Sequence, residues 1–165
     1  MFREMRRKKQ QLTDNESIEI LNAATSGTLA LSGDNGYPYA VPLSFVHKDG
    51  MIYFHIAREG HKLDSIKRND KASFCVIDRD EVITPELTTH YRSVIVFGRI
   101  RLLEDETAII NSLRWLGEKY SPGYEERTQQ AIARQLKNVA IAELVIEHMT
   151  GKQAIELVPT REGDN

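Results

Sequence analysis

The sequence predicts a mainly β protein with flanking helices, a half-closed antiparallel barrel of six strands whose helices lie outside it. Three observations predict this. About six short runs rich in β-branched and aromatic residues are set off by Gly, Pro, Asn and Asp clusters. Asp49-Gly50 stands between two alternating runs, and that dipeptide accepts the positive φ angles of a tight hairpin turn. Helix-like segments interrupt the strands too irregularly for a parallel doubly wound sheet, and neither a Gly-x-Gly-x-x-Gly nor a Walker loop is present. At 165 residues the chain reads as one domain over 1–165, with a basic arm at 1–11 and a tail at 159–165.

Thr13-Asp-Asn-Glu16 has the form of a capping box before Ile18, Leu21 and Ala24, which predicts a helix over 15–24 that ends at Ser26-Gly27. Residues 28–32 read as a first strand and Gly33-Asp-Asn-Gly36 as a turn. Pro38 and Pro42 lack ladder donors, so their strand belongs at an edge or a bulge. A short helix around Leu63 and Ile66 precedes a strand over 71–77, a polar loop over 78–89 and a long strand over 91–103, with Gly98 as a bend or bulge. Glu104-Asp105-Glu106 opens a helix carrying the stripe Ile109, Leu113, Leu116 and Tyr120. Trp115 lies about 200° from Leu113 around that helix, which suggests a subunit interface or a ligand edge, with partial packing as the plain alternative. Ser121-Pro122-Gly123 breaks the helix, and Ile132, Leu136 and Val139 mark another. Strands over 140–147 and 154–158, around Thr150-Gly151, complete the barrel.

The stretch from Tyr37 to Lys62 organises the site. If Asp49 and Gly50 form the turn, Lys48 faces Met51, Val46 faces Tyr53, Ser44 faces His55 and Pro42 faces Ala57. Leu43, Phe45, Ile52, Phe54 and Ile56 then form a core face, and the opposite face is a small, partly polar shelf on which something flat could lie. At its exit, Arg58-Glu59-Gly60-His61-Lys62 opens the short helix. Free backbone N–H groups and the helix dipole favour an anion there, with Arg58, His61 and Lys62 adding positive charge. A planar ring with a terminal phosphate, as in flavin mononucleotide, has both parts. An ordinary strand–turn–helix with solvated basic side chains fits the local pattern as well.

Composition narrows the remaining classes. A hydrophobic content of 41%, a charged content of 28% and a net charge of -2 place the chain among soluble globular proteins without a global basic field for nucleic acid. The arm bearing Arg3, Arg6, Arg7, Lys8 and Lys9 reads as a solvated tail with no assigned role. Its basic start is not followed by an apolar run, so no secretory leader is expected, and runs such as Val94-Ile-Val-Phe97 are too short to span a bilayer. A single cysteine, Cys75, excludes an internal disulfide, suits a reducing cytoplasm and reads as a buried, inert thiol. His55 and His61 lack zinc spacing, and His61 with Asp64 supplies only two ligands, so no metal is expected. No nucleophile elbow is present, and His47, His90 and His148 stand isolated.

The segments 37–46, 52–64, 73–78 and 91–98 resemble the nitroimidazole-resistance (Nim) proteins of the flavin-binding split-barrel group that includes pyridoxamine 5′-phosphate oxidase. The likeness runs from about Met5 to Val158. It implies an FMN-binding split barrel, with FAD as the other option, and a homodimer holding flavin at its interface. On that resemblance Val41, Pro42, Leu43, Ser44, Phe54, His55, Ile56 and Ala57 line the ring and its chain. Lys62, with Arg58 or His61, holds the phosphate, and Arg92, Ser93 and Trp115 reach in from the partner. Pyridoxamine 5′-phosphate oxidase proper ends in a basic segment that grips its substrate. This chain closes on residues 155–165 with one arginine, so vitamin B6 oxidation is disfavoured. The activity implied is electron transfer from NAD(P)H or a protein donor to a small acceptor such as a nitroaromatic, with His55, or His61 in its place, as the catalytic histidine. A flavin- or haem-binding module without turnover is the alternative.

Overall fold

The computed structural model describes residues 1–159, so all but the first residue of the expected tail lies outside it. Seven strands form one antiparallel sheet in the order β2-β1-β5-β6-β7-β4-β3. They are β1 (Gly27–Ser32), β2 (Pro38–Leu43), β3 (Val46–Lys48), β4 (Met51–Ala57), β5 (Lys71–Ile83), β6 (Thr88–Leu102) and β7 (Val139–Gln153). Four helices accompany them: α1 (Asp14–Ala23), α2 (His61–Arg68), α3 (Glu106–Tyr120) and α4 (Glu125–Gln135). The sheet curls without closing, since β2 and β3 remain edges, and that split leaves room for a site. The expected antiparallel barrel with flanking helices is what the chain forms.

Local chemistry accounts for most of the boundaries. Thr13 caps α1 through Glu16 N–H while the Glu16 carboxylate accepts from Thr13 N–H at 2.7 Å, the reciprocal box the spacing predicts. Asp49 (φ 51°) and Gly50 (φ 78°) make the hairpin turn, and Lys48 pairs with Met51 and Val46 with Tyr53. Pro38 and Pro42 do lie on an edge strand, β2. The β6–β7 register shifts between Phe97 and Gly98, a bulge at the expected glycine.

Four expectations are corrected. Residues 78–83 and 88–89 are not loop, because β5 and β6 extend as a paired ribbon past a register shift after Ile77. Polar side chains read as loop, yet a two-stranded ribbon with both faces wet has no apolar period to show. Val139 starts β7 rather than ending a helix. Gly151 is no turn: β7 runs straight through it, and a side chain there would collide with Ser17 and Leu12 of the α1 region. Residues 154–158 consequently form no strand, only a 3-10 turn over Ile155–Leu157. The arm is also less loose than its charge suggests, since Gln10 is buried and the Phe2 ring stacks on His148 at 4.6 Å.

Two apolar cores hold the fold. Inside the barrel Phe74 meets Phe45 and Phe54 edge-on at 4.8 and 5.1 Å, surrounded by Leu29, Ile52 and Val94, all fully buried. Outside it, α3 lays Ile109 and Leu116 over Val46, Tyr53 and Ile141 of the outer sheet face. Each buried aliphatic or aromatic side chain of this kind contributes about 1.5–3 kcal/mol of transfer free energy.

Candidate functional site

The core face predicted for the hairpin is present: Phe45, Ile52, Phe54 and Ile56 are buried and Leu43 packs against them. The opposite face is not the long shelf expected. Beyond Val46 the two strands separate, so Ser44 does not pair with His55 nor Pro42 with Ala57. Pro42 pairs with Thr28 of β1, while His55 and Ala57 pair with Ile141 and Val139 of β7. Just before Val46, on the side of the chain facing away from β4, the hydroxyl of Tyr120 at the end of α3 accepts from Phe45 N–H at 2.8 Å. Helix α3 then covers Val46 and Tyr53, while His55 and Ala57 of β4 stay open.

What remains is a shallow bay of about 450 Å³. His55, Ile56 and Ala57 of β4 form one wall, Asn138 and Val139 at the start of β7 a second, and Glu59, Gly60, His61 and Lys62 the mouth of α2. Tyr39 of β2 closes the side, its ring stacked on His61 at 4.1 Å. Helix α2 starts directly at this bay. Its N-cap is Gly60 (φ 104°), and no side chain caps the first turn, so its leading amides face outward without a local acceptor. A side chain with a Cβ would strain at this φ, which is the reason for glycine here. Lys62 is half-buried beside these amides and forms no ion pair among the described residues. Planar floor, cationic mouth and unsatisfied donors fit a ring with an anionic tail.

The sequence-predicted residues divide accordingly. His55, Ile56, Ala57, His61 and Lys62 come together in the bay. Arg58 turns away: its guanidinium donates to Val139 O at 2.9 Å and to Leu136 O at 3.4 Å, tying α4 to β7. Phe54 points its ring into the core, so only its backbone is left to a ligand. Val41 and Leu43 pack against the core from β2, whereas Pro42 and Ser44 are exposed. Arg92 sits 3.4 Å from Asp78, and Ser93 pairs with Lys152 and Ile77, on β6 rather than in the bay. Trp115 packs beside Tyr53 at 5.3 Å under α3, the plain alternative for a residue off the stripe. Tyr39, Glu59, Asn138 and Val139 join the bay without having been singled out. The apolar period carries no trace of which loop will meet which.

Nearby groups are tuned by burial. The Tyr53 hydroxyl is pushed up to about 12 by burial and by the Glu143 carboxylate, itself paired with Arg101 at 2.7 Å. The Cys75 thiol, expected to be buried, is half-buried, and what burial it has raises its pKa. No cluster of three or more metal-ligating side chains occurs among the described residues.

A second surface lies on the outer face of β2, β1, β5, β6 and β7. Cross-strand pairing aligns Pro42, Thr28, Cys75, Ile95 and Thr150 in one row, and Ala40, Ala30, Ser73, Phe97 and His148 in the next. Neither row contains a carboxylate, lysine or arginine. Ile95 is 38% exposed, Phe97 40% and neighbouring Ile77 64%, a large amount for β-branched and aromatic side chains on one face.

A sequence model of the family described as pyridoxamine 5'-phosphate oxidase matches residues 13–153. No curated protein matches the chain in sequence. Among solved structures, the flavocytochrome Anf3 from Azotobacter vinelandii superposes with a TM-score of 0.78 at 23% identity, covering 92% of this chain and 72% of that one. An FAD and heme binding protein from Mycobacterium smegmatis gives 0.76 at 22% identity, with 88% and 73% covered. A Bacteroides thetaiotaomicron protein provisionally described as a 5-nitroimidazole antibiotic resistance protein gives 0.71 at 19% identity, with 87% and 86% covered. At these identities the structures speak for a shared fold. No helix among the described residues is long and apolar enough to cross a membrane. The match over most of the chain's length decides the kinship: the chain belongs to the pyridoxamine 5'-phosphate oxidase family.

Proposed function

We propose that this protein is a flavin-dependent oxidoreductase, active as a cytoplasmic homodimer, that passes electrons from a reduced donor to a small acceptor of the nitroimidazole or nitroaromatic kind. The observation that carries the reading is the juxtaposition, in one bay, of the His55–Ala57 wall with the uncapped first turn of α2 and Lys62. Solved relatives of the same fold described as a flavocytochrome and as an FAD and heme binding protein support a flavin. The provisional nitroimidazole-resistance relative supports the acceptor class.

On this reading Lys62 and the leading amides of α2 hold the phosphate, the first as a point charge and the second as directed donors. Ala57 and the backbone of Ile56 offer a flat support for the ring, FMN in the simplest case. His55, exposed beside them, holds or delivers a proton at its imidazole and orients the acceptor. The cofactor, when bound, supplies the two-electron chemistry; the chain supplies binding, orientation and exclusion of water. A second copy, docked through the uncharged outer rows around Ile95 and Phe97, would close the open side of the bay with Arg92, Ser93 or Trp115.

Protein purified without added cofactor should be yellow, bleach with NAD(P)H under argon and regain colour when a nitroimidazole is added. A colourless protein that takes up neither FMN nor FAD would end the proposal. The haem-containing relatives favour one second reading, a cofactor-binding module without turnover. Flavin that binds but is reduced by no donor would select it.

A further inference from the structure

We propose that Asp34 is a positioning residue for the anion site, acting through both ends of α2; the proposal rests on the reading of the bay as a flavin phosphate site. Asp34 lies in the turn between β1 and β2, outside the bay. Its two carboxylate oxygens diverge. One sits 2.8 Å from Arg68 Nη2 in the last turn of α2, and the other 3.5 Å from His61 Nε2 in the first. Arg68 also donates to Gly33 O at 3.2 Å, and Asn69, just past the helix, donates to Ser32 Oγ at 3.0 Å. An eight-residue helix is thus stapled along its length to one tight turn.

That staple has a directional consequence. His61 is held between Asp34 and the Tyr39 ring, with Nε2 facing the carboxylate and therefore committed outside the bay. His61 is the first residue of α2, so fixing its ring fixes the heading of the uncapped amides and of adjacent Lys62. Hydrogen bonds to an anion fall off steeply with misalignment, so a small tilt of the first turn costs affinity for phosphate while leaving the ring support on β4 untouched. The staple contributes little to global stability. Its side chains are 41–61% exposed, and ion pairs so placed are screened by water and salt. Asp34 therefore acts on the ligand's anionic end rather than on folding.

The test compares FMN with riboflavin, which has the ring but no phosphate, by fluorescence titration of the full chain. For Asp34→Asn, FMN affinity should fall about three- to tenfold and riboflavin affinity stay within twofold. Arg68→Gln, which releases the same carboxylate, should repeat the pattern. Combined with Lys62→Ala, Asp34→Asn should add less than its separate effect, because both act on one anion. Equal losses for both ligands, or no loss for either, would overturn the proposal. If the wild type binds neither ligand, the flavin reading itself fails. Titration with inorganic phosphate, followed on the amide resonances of residues 61–63, then decides: a site weakened by Asp34→Asn keeps the positioning role, and no site at all removes it.

Discussion

Tyr120 places its hydroxyl 2.8 Å from the backbone nitrogen of Phe45 and 2.6 Å from the carbonyl oxygen of Thr25, 75 and 95 residues away in the chain. This contact ties the end of α3 to the segment between β2 and β3 and to the segment that leads from α1 into β1. Tyr120→Phe keeps the ring and removes the hydroxyl. It leaves the Phe45 N–H and the Thr25 C=O without that partner, so about 1–2 kcal/mol should be lost in a urea titration, with the m-value unchanged. A change below a few tenths would mean that water replaces the hydroxyl at no cost.

The ligand-binding and reacting roles separate in two variants. Lys62→Ala removes the one lysine beside the uncapped turn of α2 and should lower FMN affinity tenfold or more, on the order of a charge-assisted contact. His55→Ala leaves that turn intact, so the protein should stay yellow while turnover falls by about a hundredfold, the scale of general acid–base assistance. Retained flavin in the first variant with lost flavin in the second would exchange the two assignments.

How far the sequence revealed this arrangement depends on whether neighbours in chain order were also neighbours in space. The Asp49-Gly50 turn, the capping box of Thr13 and Glu16, and the mouth of α2 are local patterns, and all were legible. The partner of His55 was not. Counting outward from the turn put Ser44 there, and the fold puts Ile141 there instead, because β2 leaves the hairpin to pair with β1. Gly151 misled for a related reason, since a glycine kept small for a helix packing across it looks the same in sequence as a glycine in a turn. Tyr39 reaches His61 only once the barrel has curled, so the aromatic side of the bay carried no signal at all.

The uncharged rows on the outer sheet offer a direct measure of assembly. Ile95 lies in the first row, between Cys75 and Thr150, and is 38% exposed in the single chain. In a two-fold interface the same residue is presented by both copies, so Ile95→Lys buries two cations near one another in an apolar seam. Light scattering should show a dimer for the wild type and a monomer for the variant, with weaker FMN binding in the monomer. A wild type that is monomeric at all concentrations would remove the interface, and a dimeric Ile95→Lys would move it elsewhere.

Lys119 provides a prediction in pH. Its ammonium lies 4.1 Å over the Phe45 ring and donates to Leu21 O at 3.4 Å, at the end of α1. Burial lowers its pKa from 10.5 to about 8. The ring face favours the charged form, so the direction shows that lost hydration outweighs it. A base that holds its proton less tightly folded than unfolded makes the unfolded chain the better proton acceptor between those two values. Stability from this residue therefore rises as pH increases from about 8 towards 10.5, and below 8 the full cost of the half-buried charge is present. Lys119→Met removes the charge and keeps the aliphatic stem. Since the side chain is still partly in water, the gain should be modest, about 2–4 °C in Tm at pH 7, shrinking through pH 9 and vanishing near pH 10.5. A gain that stays constant with pH would show packing, not desolvation, as its source. A loss of stability at pH 7 would show that the contacts to Phe45 and Leu21 outweigh the burial of charge.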